Sequence, residues 1–467
     1  MSQTLHRRTF LSRLGSAALG AASLACSGSS EQSPAADAKP NIVIVFADDM
    51  GFQDAGFQGS PDCETPHLDA LAREGVRFDN GYVTHPFCSP SRAALLTGRY
   101  QQRFGHENNM VFDLQDRETG LPLNEITLAN LLGDAGYTTG LVGKWHLGAH
   151  PIYHPFRRGF QHMYGFVGGG HDYFDPGAPG QTEQHLIPIE RDGEVVPETE
   201  YLTTALGREA ASFVRQRADD EPFFLYLAFN APHTPLQAPD EMLARFASIE
   251  DPGRRTYAAM VWALDDAVGR LEAALAETGR KDNTLLFFLN DNGGPAGNKS
   301  SNAPLRGTKR TLYEGGVRVP FLVRWPGHIE PGSTYSRPVS SLDVLPTALA
   351  AAGVAPPADR PLDGVDLLPY LSGNQSGVPH QRLFWRCFDG VEAAVREGDW
   401  KWVRVGREAR PELYDLSTDL SEKYDVSADH PEIVAELGAA WEQWNAQMVP
   451  SLWPDHIFHV REGNRWR

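Results

Sequence analysis

The stretch NIVIVFADDMG, residues 41–51, decides how the chain is read. Ile42 to Phe46 are apolar and mostly β-branched, without alternation, which is the pattern of a parallel strand buried on both faces. The strand runs straight into two adjacent carboxylates, Asp48 and Asp49. A bare Asp-Asp is compatible with a surface turn. At the end of a buried strand it is costly unless something neutralises it.

The pattern recurs. Residues 137–142 form an apolar run ending in GKWHLG (143–148), residues 223–229 one ending in NAPHTP (230–235), and residues 284–289 one ending in NDNGG (290–294). In open α/β sheets, ligands bind in the crevice beyond the carboxyl ends of the strands. Four strand ends therefore offer Asp48, Asp49, Lys144, His146, His233, Asp291 and Asn292 to one crevice. The fold expected is an α/β domain with a large mixed, mostly parallel sheet flanked by helices. Residues 256–279 read as the clearest helix, with Met260, Leu264, Leu271 and Leu275 on one face. The Asp265-Asp266 pair on it reads as solvated surface. Residues 205–219 and 67–74 read as shorter helices. Residues 317–325 read as a strand after a basic loop, LRGTKRTLYEGG (305–316).

From about residue 374 the grammar changes. Residues 383–387, 392–397, 401–405 and 412–416 read as short antiparallel strands, with Gly398-Asp399 as a hairpin signal. Pro431 opens a helix running to Met448, and the Trp residues of this part read as core or interface. The division expected is a catalytic domain over 41–373 and a small α+β domain with an antiparallel sheet over 374–467.

The 467 residues carry a formal net charge of −18, which disfavours nucleic acid as a partner. An anionic substrate must then be drawn in by a local basic cluster and a cation. The N-terminus reads as a targeting segment, residues 1–26, followed by a Ser/Pro/Ala-rich linker, residues 27–40. His6-Arg7-Arg8-Thr9-Phe10-Leu11 resembles a twin-arginine export motif, so the export machinery is an expected partner. Cys26, after Ser-Leu-Ala, marks either a lipoprotein cleavage site with a lipid anchor or simple cleavage. The location expected is outside a bacterial cytoplasm, periplasmic or lipid-anchored at the envelope. Cys63 and Cys387 could pair in an oxidising compartment, but they lie far apart in sequence and read more readily as two free buried thiols.

Chemistry centres on CSPSRAALLTGR, residues 88–99. Pro90 suits the start of a helix and Gly98 its end, which puts Cys88 at a helix N-terminus with Arg92 one turn on. On the residues alone Cys88 is either a small buried hydrophobe or a thiolate nucleophile. A phosphatase-type thiolate needs Arg six positions later, where this chain has Ala94. Asp48, Asp49, Asp291 and Asn292 form an all-oxygen ligand set, which selects Ca²⁺ or Mg²⁺ over zinc. The carboxylate-rich arrangement and an extracytoplasmic location favour Ca²⁺, with Mg²⁺ as the alternative. Arg92, Lys144 and Lys309 would neutralise charge building in the transition state, and histidines would supply base and acid.

With the basic loop, these motifs run from Asn41 to about Met448 in an order that resembles the arylsulfatase A-like sulfatases. These are formylglycine-dependent enzymes of the alkaline-phosphatase superfamily. The resemblance implies that a formylglycine-generating maturase oxidises Cys88 to formylglycine (3-oxoalanine), whose hydrate attacks sulfur. It implies metal ligation by Asp48, Asp49, Asp291 and Asn292, with residue 88 completing the shell. Arg92 and Lys144 would contact the nucleophile and His146 would assist hemiacetal breakdown. His233 and Lys309 would bind the sulfate, one of them protonating the leaving alcohol. Two departures stand out. Thr308 and Arg310 flank Lys309 where Gly is commoner, and Gly168-Gly169-Gly170-His171 lacks the Ser that some members place near the nucleophile. His171 and Arg306 are therefore expected on the substrate side.

The activity expected is hydrolysis of a sulfated carbohydrate or an aryl sulfate. A phosphonate monoester or phosphodiester hydrolase would share the same core. A non-catalytic sulfoglycan-binding lipoprotein would follow if Cys88 were never oxidised.

Overall fold

The computed structural model describes residues 39–177, 183, 185–455 and the backbone of 461, 462, 465 and 466. The export segment and nearly all of the linker lie outside these residues, as does Cys26. The strands in chain order are β1 (Asn41–Ala47), β2 (Val76–Phe78), β3 (Gly81–Tyr82), β4 (Thr138–Lys144), β5 (His162–Phe166), β6 (Glu190–Arg191), β7 (Glu194–Val195) and β8 (Phe223–Ala228). They continue as β9 (Thr284–Asn290), β10 (Phe321–Arg324), β11 (Ser333–Tyr335), β12 (Val339–Ser340), β13 (Arg382–Cys387), β14 (Glu392–Glu397), β15 (Trp400–Val405) and β16 (Glu412–Asp415).

Among the described residues the main sheet has ten strands, in the order β11-β2-β10-β9-β1-β8-β4-β5-β6-β7. β9, β1, β8, β4 and β5 are parallel. The four polar loops leave this block in register, since Ala47 stands opposite Asn290, and both Phe46 and Gly143 stand opposite Ala228. That alignment brings Asp48, Lys144, His233 and Asp291 to one edge.

Successive residues of β1 serve two cores, as a strand's period of two requires. Val43, Val45 and Ala47 pack with helices Leu202–Arg215 and Pro252–Glu277. Ile42, Ile44 and Phe46 pack on the other side with helices Cys88–Thr97, Leu128–Asp134 and Val344–Ala352. Every residue of β1, β8 and β9 is buried, which is why these segments read as unbroken apolar runs.

β13 to β16 form a separate antiparallel meander. Helix Pro431–Asn445 backs it, with Trp402, Leu437, Trp441 and Trp444 in the shared core. The Lys309 loop is bolted to this smaller sheet through Glu314, which is fully buried. Tyr82 Oη and Lys401 Nζ donate to its carboxylate at 2.6 and 2.7 Å, and its own N–H donates to Glu422 at 2.8 Å.

Three local expectations are corrected. Residues 317–325 are not one strand, because the chain first makes a short helical turn, Glu314–Val317, and only 321–324 join the sheet. A Cβ at Gly315 or Gly316 would collide with the backbone of residues 306–311, so this turn is packed tightly against its own loop. Helix Cys88–Thr97 starts two residues before Pro90. Proline is tolerated throughout a first turn, whose N–H groups lack intrahelical acceptors. Asp265 is not surface. Consecutive helical residues point about 100° apart, and only Asp266 faces solvent, paired with Arg270 at 2.8 Å. Asp265 is fully buried and accepts from the N–H groups of His67 and Leu68 at 3.0 and 2.8 Å. It satisfies the first turn of helix Pro66–Glu74, where Thr65 makes no side-chain cap. Cys63 and Cys387 are free and buried, as expected.

Asp265→Ala should therefore leave the buried N–H of Leu68 and the half-buried N–H of His67 unpaired and cost about 1–3 kcal/mol. A lowered denaturant midpoint with unchanged circular dichroism at low denaturant is the expected result.

Candidate active site

The turn after β1 is held from several sides. Asp49 adopts a left-handed conformation, φ 63°, which carries strain unless its surroundings impose it. Its N–H donates to Asp291 Oδ1 at 3.2 Å and its carbonyl accepts from Asn298 Nδ2 at 2.9 Å. Asn290 grips the next residue, accepting from Met50 N at 3.2 Å and donating to Met50 O at 2.6 Å. The loops after β1 and β9 are thereby one rigid unit.

Cys88 lies in the first helical turn, 1% exposed, with Sγ 3.5 Å from Asp48 Oδ1 and 3.1 Å from Lys309 Nζ. Arg92, one turn on, is buried over the Phe46 ring. Its Nη2 lies 3.0 Å from Asp291 Oδ2 and 3.4 Å from Asp48 Oδ2. Lys144 Nζ donates to Asp48 Oδ2. Lys309 Nζ bridges both oxygens of Asp49 at 2.7 and 2.9 Å, and Asn292 Nδ2 donates to Asp49 Oδ1 at 2.7 Å.

The electrostatics follow from this packing. Burial raises the Asp48 carboxyl, but Lys144, His233, Arg92 and Lys309 together overcome that and hold it well below the usual range. Asp291 goes the other way, pushed up by burial and by the charge of Asp48. Burial, Asp291 and Asp48 also push the Cys88 thiol upward.

The donor set fits a hard divalent cation. Asp48, Asp49, Asp291 and Cys88 each offer a ligand atom within 4.8 Å of the others. The Oδ1 of Asn292 is buried beside them with no hydrogen-bond partner among the described residues. A buried acceptor left in that state calls for a donor or a cation.

Two histidines line the same space. His146 has φ 55° and a buried Nδ1 that has no partner among the described residues. Burial, with Lys144 and Arg92 close by, holds it well below the ordinary imidazole range, so it is neutral. His233 is more open, its side chain 17% exposed, with Nε2 3.5 Å from Asp49 Oδ2. Its Nδ1 donates to Thr234 O at 2.6 Å, which leaves Nε2 to face the site. Lys309 is 12% exposed, so it and His233 stand at the mouth while Asp48, Arg92 and Lys144 form the floor.

The structure thus gathers Asp48, Asp49, Cys88, Arg92, Lys144, His146, His233, Asp291, Asn292 and Lys309 in one place. His171 and Arg306 do not join them. His171 is 1% exposed, and its two ring nitrogens lie 2.5 Å from the carbonyls of Asp172 and Ile187. Both nitrogens are occupied by backbone, so nothing remains for a substrate. Arg306 stacks on the Tyr313 ring and donates to Tyr414 Oη and Glu422 O, both at 2.8 Å. It fastens its loop to the smaller sheet.

Sequence reasoning missed Asn290 and Asn298, which brace the Asp49 turn, and the pair Ser89 and His106. Ser89 Oγ lies 2.6 Å from His106 Nε2 and donates to His146 O at 2.7 Å, so it holds the His146 loop against the Cys88 helix. Asn290 at the end of β9 carried a signal, as a polar residue closing an apolar strand. His106 carried none.

Comparison with known proteins agrees with this geometry. The Sulfatase family matches residues 40–354, and the family described as N-sulphoglucosamine sulphohydrolase, C-terminal, matches residues 307–447. Human N-acetylgalactosamine-6-sulfatase is 33% identical over 88% of this chain and 87% of its own length. Human arylsulfatase A is 36% identical over 85% and 86%. The crystal structure of Ps i-CgsB in complex with k-i-k-neocarrahexaose superposes with a TM-score of 0.84 at 40% identity, covering 89% of this chain and 94% of that one. The crevice of carboxylates, cations and histidines at these strand ends is accordingly that of a sulfuric ester hydrolase, and the chain belongs to the sulfatase family of the alkaline-phosphatase superfamily.

Proposed function

We propose that this chain removes sulfate from a sulfated carbohydrate, with residue 88 acting as a formylglycine hydrate beside a bound Ca²⁺. The observation that carries the reading is the position of Cys88 Sγ, between a buried carboxylate and the Lys309 ammonium at the convergence of the strand-end loops. A carbohydrate is supported by relatives whose names specify an amino-sugar sulfate, and by a similar structure that holds a neocarrahexaose.

Each group then has a task. Asp48, Asp49, Asp291 and Asn292 would hold the cation, whose chemistry is to polarise the sulfate oxygens. An oxidised residue 88 supplies an oxygen nucleophile and releases sulfate by returning to the aldehyde. Arg92 and Lys144, fixed in the floor, neutralise charge at the reacting end without reorganising. His146, kept neutral by its surroundings, takes up the proton released at residue 88. His233 Nε2 and Lys309 Nζ, at the mouth, face the ester oxygen, and one of them protonates the departing alcohol.

The segment His6 to Leu11 supports export from a bacterial cytoplasm by the twin-arginine route, with Cys26 marking either a lipid anchor or simple cleavage. Because that route carries folded protein, a maturase acting on Cys88 would have to do so before export.

Sulfate release by protein whose residue-88 peptide has the mass of formylglycine is the direct test. Sulfated sugars should be preferred over an aryl sulfate, a phosphodiester and a phosphonate monoester. Preference for the phosphorus esters would overturn the substrate. Cys88→Ala should lower turnover by on the order of 10⁴-fold or more with the fold intact. Asp291→Ala should abolish stoichiometric Ca²⁺ in the purified protein, read by elemental analysis. Arg92→Ala removes the partner of two buried carboxylates and should cost roughly 3–5 kcal/mol in denaturant unfolding.

A further inference from the structure

His171, expected at the substrate, serves as a brace, and what it braces is a second histidine. Asp172 N donates to His185 O at 2.8 Å, and His171 Nε2 meets Ile187 O. Residues 185–187 are thus laced to the His171 loop at two points that straddle Leu186. The His185 ring lies 6.5 Å from the His233 ring, their planes inclined by 29°.

Gly170 makes this pairing possible. A Cβ there would stand 2.9 Å from His185 Nδ1 and 3.5 Å from His233 Cε1. Any other residue at position 170 would press on the His185 ring, which would have to turn or shift, and would touch His233. The absence of a side chain at Gly170 leaves the His185 ring room beside His233.

The His185 ring is only partly buried, yet its Nδ1 is buried and has no hydrogen-bond partner among the described residues. Such an atom costs free energy unless a ligand completes it. Burial, helped by Lys144, shifts the imidazole toward its neutral form. A neutral imidazole offers one donor and one acceptor, which suits a hydroxyl, itself both donor and acceptor.

We propose that His185 is a specificity-determining residue that hydrogen-bonds a hydroxyl of the sugar bearing the sulfate, beside His233. The inference rests on the carbohydrate reading above. It assigns the anion to Lys309, Arg92 and Lys144 and the neutral part of the sugar to His185. A site built to bond a hydroxyl rejects substrates that lack one far more strongly than an apolar pocket does.

The test compares wild type, His185→Ala and His185→Asn on N-acetylgalactosamine 6-sulfate, a sulfated neocarrahexaose and 4-nitrophenyl sulfate, which has no hydroxyl. The ratio of kcat/KM for the better sugar to that for the aryl sulfate should fall at least ~10-fold in His185→Ala, chiefly through KM. His185→Asn, which keeps an amide near the Nδ1 position, should restore most of the ratio. Calorimetric binding of the same sugar to Cys88→Ala protein, with and without His185→Ala, should weaken by a similar factor, a readout independent of turnover. A ratio unchanged within about threefold, or a loss shared equally by all substrates through kcat, would overturn the role of His185 and leave the carbohydrate reading standing. A wild-type protein that hydrolyses the aryl sulfate and neither sugar would overturn both.

Discussion

Three carboxylates buried within a few ångströms of one another are the constraint on which the rest of this structure depends. Asp48, Asp49 and Asp291 have almost no solvent to screen them. Their mutual repulsion has to be met by positive charge brought from elsewhere in the chain. Arg92 comes from a helix start, Lys144 from the end of β4 and Lys309 from a loop more than two hundred residues away from Cys88. The parallel sheet makes this affordable, because strands in register deliver their ends to one edge. A site of this charge density could not be assembled on a single loop, and its rigidity is the same property that lets it stabilise a developing oxyanion without rearrangement.

Much of this was legible in the sequence, for a physical reason. A buried strand has to be apolar, so a polar residue at its end has to be there for something else. That contrast marked Asp48, Asp49, Lys144, His146, His233, Asp291 and Asn292 before any geometry was known. Cys88 and Arg92 were marked by a helix start and Lys309 by a basic loop, and the resemblance to sulfatases gave them their roles. What stayed hidden were residues whose role depends on a distant partner. Asp265 looks like half of a solvated acidic pair until the end of helix Pro66–Glu74 is placed against it. His171 and Arg306 have the right chemistry in the right motifs, and only packing shows that backbone carbonyls and the smaller sheet already occupy them. His106 and His185 lie in stretches with no periodicity at all.

The departures from the family pattern are also instructive. Arg310 takes a left-handed conformation, φ 80°, a region where glycine is at ease. It is held there by its own N–H bonding to Pro86 O at 3.0 Å and its guanidinium lying over the Phe87 ring. The Lys309 loop is therefore tied directly to the two residues that precede Cys88. Glycine would leave the conformation unstrained and keep the N–H bond to Pro86, but it would lose the contact with the Phe87 ring.

Glu314 carries a different implication. It ties the Lys309 loop to the meander, and the family that describes the C-terminal part of the chain begins at residue 307, ahead of Lys309 itself. The seam between the larger and smaller sheets thus passes through the reaction site and not beside it. A recombination joint placed at the apparent change of architecture, near residue 374, would inherit a lysine loop tuned to one meander and moor it to another. The smaller sheet and the lysine loop therefore form one structural unit.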